Sequence, residues 1–248
     1  MKLTYLAIVF AFISMSAYAE TIPKAVTQQV QLKEAKKIRV EVSCGLPRRD
    51  SYRKKRGVMI FTLKNGDTGK CPTDAKADKS KTAVRQERAE VFGPSLKFGP
   101  NYRFSALIHM SPEHSSSRFT TFFQVHQWID DSCECGAPFM MSFHENNRVL
   151  ARTLKAHHRH KLFYVDGWSR SDFEDKWVEV AVDIETQKVG FSKIRIYLGG
   201  KLVHEGKTLI QEGGRLYFKT GLYRDVENSR ALPTDSVYVR DARFTVLK

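Results

Sequence analysis

From Tyr102 to the C-terminus the chain alternates apolar and polar residues with a period of two, in short runs broken by turn residues. Such a rhythm fits strands that bury one face, and it fits little else. Tyr102, Phe104, Ala106, Ile108 and Met110 alternate with Arg103, Ser105, Leu107 and His109. Val178, Val180, Val182 and Ile184 share one face, and Ile194, Ile196 and Leu198 repeat the pattern before Gly199-Gly200, a hairpin signal. Further strands are expected at Phe139–Phe143, Lys161–Val165, Leu216–Tyr223 and Val237–Leu247. No long helical period competes. Many short strands in a chain of 248 residues predict an all-β fold, an antiparallel β-sandwich jelly roll of the concanavalin-like kind.

The N-terminus has a different character. Lys2, an apolar run from Leu6 to Ile13, and Ala17-Tyr18-Ala19 have the layout of a secretory signal peptide cleaved before Glu20. Residues 1–19 are therefore set apart, and residues 20–248 are expected to form one domain. The apolar run is too short for a permanent span, which takes roughly 20 residues. The expected location is secreted or periplasmic, without stable membrane insertion. Lys and Arg total 41 against 27 Asp and Glu, a formal charge of +14 that attracts polyanions. Export favours an acidic polysaccharide over nucleic acid as the partner. The run Arg53-Lys54-Lys55-Arg56 is weak evidence for nucleic acid, and Arg48–Arg56 and Gly66–Lys81 are both expected to be solvated loops. Cys44, Cys71, Cys133 and Cys135 make an even count, so disulfides are expected, with three pairings open. Zinc binding through Cys133, Cys135 and His144 is the alternative, but the spacing matches no standard zinc pattern. No metal site and no cofactor are assigned, and a monomer is expected.

Two strands carry candidate chemistry. In Phe119–Trp128, alternation puts Phe122, Gln124, His126 and Trp128 on one face, poor as core but suited to a sugar. A structural, hydrogen-bonded His is the plain alternative. In Leu216–Arg224, Leu216, Phe218, Thr220 and Leu222 form the expected core face, and Tyr217, Lys219 and Tyr223 project together on the other. Gly221 lies between Lys219 and Tyr223, where it leaves room for a ligand. An ordinary half-exposed strand would look much the same. The segments Phe123-Gln124-Val125-His126-Gln127 and Phe218-Lys219-Thr220-Gly221-Leu222-Tyr223-Arg224 resemble the active-site strands of the heparin lyase-type polysaccharide lyases, which also resemble glucuronan lyases. Weaker matches are Arg88-Ala89-Glu90 and the Trp177 strand followed by Ile194–Leu198 and Gly199-Gly200-Lys201.

The resemblance implies that His126 and Tyr223 are catalytic, that Gln124 and Lys219 contact a substrate carboxylate, and that Arg88 assists. Trp128 and Tyr217 add sugar-binding surface. Asn228 stands where heparin lyases have a second Tyr, which argues against heparin itself. No motif matches the family's calcium site.

These residue types suit elimination. A uronate C5 proton becomes removable once the neighbouring carboxylate charge is offset, which Gln124, Lys219 and Arg88 are expected to do. An imidazole such as that of His126 suits a base near neutral pH, and Tyr223 can protonate the departing oxygen. In some lyases of this architecture Tyr serves as both base and acid. Two other functions compete. A jelly-roll hydrolase would use carboxylates such as Glu179, Asp183 and Glu185, which share one parity, though not in the spacing of that class. A noncatalytic carbohydrate-binding module would keep the aromatics without needing His126 and Tyr223 together. His157-His158-Arg159-His160 is expected to be a basic loop.

Overall fold

Alternating strands each bury one face, and two sheets that turn those faces together enclose the core. The computed structural model describes residues 36–37, 39–71, 85–112, 119–128, 136–144, 146–156, 159–186, 190–211, 214–226 and 232–247. The signal segment 1–19, Cys133, Cys135, His157, His158 and Asn228 lie outside these residues. The first sheet holds β1 (Lys36–Lys37), β3 (Tyr52–Lys55), β4 (Val58–Leu63), β7 (Asn101–Met110), β12 (Val178–Ile184), β13 (Gly190–Leu198), β14 (Lys201–Ile210) and β16 (Asp235–Leu247). The second holds β2 (Glu41–Val42), β5 (Arg85–Phe92), β6 (Leu96–Lys97), β8 (Phe119–Trp128), β9 (Phe139–His144), β10 (Arg148–Ala156), β11 (Arg159–Ser169) and β15 (Arg215–Val226). The first runs in the order β14-β13-β12-β7-β16-β4-β3 and the second in the order β11-β10-β9-β8-β15-β5-β2. Every pairing between them is antiparallel, as the alternation predicts.

Phe61, Phe104, Ile108, Val180 and Ile196 of the first sheet meet Phe122, Val125, Phe139, Phe218 and Leu222 of the second in one buried cluster. A short helix, α1 (Ser171–Asp175), adds Phe173 to that cluster beside Phe122 and Phe143. Among the described residues no helix is long and apolar enough to cross a membrane.

Three expectations about loops and faces change, the first being Arg159-His160, expected in a basic loop but found at the start of β11, paired with Ala156 and Leu154 of β10. Tyr52–Lys55, expected as loop, is an edge strand paired with Val58–Leu63 through a tight turn at Arg56-Gly57, both with positive φ. It shows no apolar alternation because Arg53, Lys54 and Lys55 are exposed, while Tyr52 stacks on Phe61. Phe122, expected beside Gln124 and His126, is fully buried instead. A bulge between Thr121 and Phe123 gives β8 one extra residue, so both Phe122 and Phe123 face the core and parity reverses on either side.

One disulfide, Cys44–Cys71, joins the segment after β2 to the loop after β4. A buried ion pair fixes the register of β5 against β15. Arg224 donates through Nε to Glu87 Oε2 at 2.6 Å and through Nη1 to the Pro233 carbonyl at 2.8 Å. Both side chains are fully buried, and the two residues are directly paired. A slip of one residue would part them and turn Arg88 and Glu90 into the core.

Candidate active site

Residues opposite each other on antiparallel strands project to the same face. Tyr217 pairs with His126 and Lys219 with Gln124 across one edge of β15. Across its other edge Lys219 pairs with Phe92, Gly221 with Glu90 and Tyr223 with Arg88. Three central strands of the second sheet thus bring Arg88, Gln124, His126, Tyr217, Lys219 and Tyr223 to its outward face. Leu216, Phe218 and Leu222 are buried behind them.

At the centre of this face stands Glu90, which is 1% exposed. Its Oε2 lies 3.3 Å from Arg88 Nη1 and 3.3 Å from Lys219 Nζ, and its Oε1 accepts a hydrogen bond from Gln124 Nε2. Two cations and an amide therefore converge on one carboxylate. An ionised carboxylate only accepts, so the Gln124 amide must turn its NH2 toward Glu90 and its oxygen toward His126. That oxygen is 2.9 Å from His126 Nε2, which makes Nε2 the donor. In the neutral ring the lone pair then sits on Nδ1, an atom shielded from solvent. At the other end of the row, the Arg88 guanidinium lies 4.2 Å from the centre of the Tyr223 ring. Tyr223 also meets the edge of Phe119, over which Arg152 is placed at 4.4 Å. Tyr223 and His126 thus stand at opposite ends of a continuous row, Tyr223, Arg88, Glu90, Gln124, His126.

The burial of this row departs from expectation. Lys219 and Gln124, expected to meet a substrate carboxylate directly, are 1% and 2% exposed and turned to Glu90. They form a layer beneath the surface. Tyr217 is also buried, stacked on His126 and in edge contact with Phe92. His126 and Tyr223 are half-buried, and Trp128 is exposed at the end of β8. Trp128, Tyr217, Phe92, Ser43, Cys44 and Ser95 line a cavity of about 140 Å³ there. Gly221 has a different reason than ligand access. It has φ +138°, and a Cβ there would lie 2.3 Å from the Ala89 carbonyl oxygen, so β5 itself fills the space.

Glu90 is the residue that alternation alone did not single out. Its signal was its parity with Arg88 on a strand facing Lys219. The hydrolase carboxylates are engaged elsewhere, on the first sheet. Asp183 is held by Arg103 at 2.6 Å, Glu179 by Arg243 at 3.4 Å and Glu185 by Arg195 at 3.4 Å. Among the described residues no cluster of His, Cys, Asp and Glu could hold a metal ion.

The family model described as polysaccharide lyase matches residues 47–241, which include every residue of this row. The chain belongs to the polysaccharide lyase family. The lyase also has the fold of several solved structures. An alginate lyase of polysaccharide lyase family 7 superposes with a TM-score of 0.57 at 12% identity, over 81% of this chain and 85% of that one. An alginate lyase from Pseudomonas aeruginosa gives 0.54 at 13% identity, over 81% and 87%. The endo-β-1,4-glucuronan lyase of the fungus Trichoderma reesei gives 0.52 at 13% identity, over 87% and 91%. No protein of curated function matches the chain. At these identities the structural likeness establishes the fold, and it agrees with the jelly roll expected from alternation. The family match makes the chain an enzyme that cuts polysaccharides by elimination.

Proposed function

We propose that this lyase is exported and cleaves a uronate polymer across the outward face of the second sheet, with Tyr223 at the scissile sugar and His126, at the far end of the same row, on a neighbouring part of the polymer. The observation that carries this reading is the row from Tyr223 to His126, in which a half-buried phenol and a half-buried imidazole stand on one face over a buried layer of Arg88, Glu90, Lys219 and Gln124. The net positive charge of Arg88, Glu90 and Lys219 offsets the substrate carboxylate from beneath the surface, and Glu90 holds Arg88, Lys219 and Gln124 in place. The phenolate of Tyr223 takes the C5 proton, and the C–H electrons form the C4–C5 double bond as the C4–O bond breaks. The same phenol then returns a proton to the departing oxygen. Arg88 over the ring offsets the phenolate charge. His126 donates through Nε2 and does not act as the base in this arrangement, because its remaining lone pair is shielded.

The solved neighbours are alginate and glucuronan lyases, which points to an unsulfated uronate polymer, and Asn228 weighs against heparin. One neighbouring alginate lyase was crystallised with substrate as a double variant, His to Asn and Tyr to Phe, the residue types at the two ends of the row here. Export accords with the Cys44–Cys71 disulfide and with the layout of residues 1–19.

The test incubates the mature protein with alginate, glucuronan and heparin and follows the ultraviolet absorbance of unsaturated uronate ends. Tyr223→Phe should bind polymer and lose about 10²–10⁴-fold in turnover. His126→Gln, which keeps a donor, should lose far less. Full activity in Tyr223→Phe sinks the assignment, and binding without products by the native protein favours a noncatalytic module.

A further inference from the structure

Away from this face, the open side of the sandwich between β10–β11 and β13–β14 holds a larger cavity, of about 470 Å³, lined by Thr153, Leu154, Lys155, Lys161, Phe191 and Lys207. That volume is within the range of about 300–1,000 Å³ typical of small-ligand sites. Three of its six lining residues are lysines, and none is acidic. All three lysines are exposed, and among the described residues none of them forms an ion pair. Glu205, two residues from Lys207 on β14, is already engaged, since it binds Lys193 at 2.9 Å and Arg195 at 2.8 Å. Lys207 stands directly opposite Lys193 in the β13–β14 register, and Glu205 is paired with Lys193 rather than with Lys207. Burial first, and the Lys161 charge second, hold the His204 imidazole pKa below its usual value. Phe191, 59% exposed, gives this basic cleft an apolar wall.

We propose that this cleft is a second binding site for an acidic polysaccharide, distinct from the catalytic face, in which Lys155, Lys161 and Lys207 take uronate carboxylates and Phe191 packs against the apolar face of a sugar ring. Lysine ammoniums on flexible stems suit carboxylates spaced along a polymer, and a single aromatic wall suits one pyranose. The cleft lies at the β10–β11 edge of the sheet whose middle strands hold the catalytic row, three to four strand spacings from β15, which carries Tyr223, roughly 15–20 Å across the sheet. It therefore holds polymer close to where the enzyme cuts. The ligand class rests on the uronate reading above, but the site itself does not depend on Tyr223 or His126.

The experiment compares the native full-length mature protein with a Lys155→Ser/Lys161→Ser/Lys207→Ser variant and with Phe191→Ala, all changed at exposed positions. Affinity for size-selected alginate and glucuronan is measured by gel retardation at two salt concentrations, beside neutral dextran and duplex DNA, together with turnover of polymer and of a short oligouronate. The triple variant should bind uronate polymer about tenfold more weakly, the combined effect of three modest exposed charge contacts. Its KM for polymer should rise while its kcat on the short substrate stays native, and Phe191→Ala should show a smaller loss of the same kind. Unchanged retention on both polymers, or a native protein that binds neither, overturns the proposal. Tighter native binding to DNA than to uronate, lost in the triple variant, overturns the ligand class. If no polymer is cut but lysine-dependent uronate binding persists, the catalytic reading fails and this site stands.

Discussion

Glu90→Gln tests the buried layer beneath the site, because it removes one charge and almost no volume. In the native protein one carboxylate faces two cations, Arg88 and Lys219, each 3.3 Å from Oε2. Their side chains are 10% and 2% exposed, and that of Glu90 is fully buried. The trio carries one net positive charge, and in the variant it carries two, with the cations repelling each other and little water to screen them. Removing one partner from a buried ion pair costs about 3–5 kcal/mol. In a domain of this size each kcal/mol shifts Tm by about 2–4 °C, so a fall of roughly 6–20 °C is expected. Urea denaturation followed by fluorescence should show a lower midpoint with an unchanged slope. The variant side chain offers one acceptor oxygen to the three donors that the carboxylate serves with two, so the hold on Gln124 weakens and turnover should fall as well. Glu90→Gln/Lys219→Met removes a cation along with the anion and should recover more than about 1 kcal/mol over the single variant. A single variant within about 1 kcal/mol of native, or a double variant no more stable than the single, would refute the view that charge balance holds this layer together.

Gly221→Ala should fail to fold or lose several kcal/mol, since its Cβ would lie 2.3 Å from the Ala89 carbonyl oxygen and 2.7 Å from Glu90 Cα; expression yield and circular dichroism check this. Cys44→Ser/Cys71→Ser opens a loop with a sequence separation of 27 and should cost about 3.5 kcal/mol by loop-closure entropy, read from chemical denaturation without reductant. For His204, burial first and Lys161 second hold the folded pKa below the reference value of 6.5, so the unfolded chain takes up its proton first as pH falls. Its contribution to stability should be full above about pH 6.5 and decline below it toward the folded value. His204→Gln should flatten that part of the profile of urea midpoint against pH, and an unchanged slope would count against the assignment.

Much of this molecule was legible from alternation. The faces of β7, β12, β13 and β15 follow directly from which of their residues are apolar, because each strand buries one side against the opposite sheet. The misplacement of Phe122 came from a rule that assumes a constant period, which one bulged residue breaks. Its trace in the sequence is the doublet Phe122-Phe123, two large apolar residues in a row where alternation allows one. Tyr52–Lys55 escaped because an edge strand exposed on its polar residues has no buried face to betray it. For the site, residue types gave the right sheet face but not the depth. Lys219 and Gln124 read as surface groups because Lys and Gln are mostly exposed in proteins. Only the buried carboxylate of Glu90, brought opposite Gly221 by pairing distant in sequence, explains why they turn inward. Long-range pairing of this kind leaves no local pattern.

Strand β3 has a further consequence for how the protein behaves in company. Among the described residues it ends the first sheet, and a strand edge left unpaired is a template on which a second chain can add. Arg53, Lys54 and Lys55 occupy three of its four positions, all exposed, and Arg56 follows in the turn. A second copy docking there edge to edge would bring two such rows of positive charge together and be repelled. An enzyme that gathers on a polysaccharide becomes locally concentrated, the condition under which open strand edges join into aggregates. The basic segment that first looks like a docking site for others thus also disfavours edge-to-edge pairing of two copies.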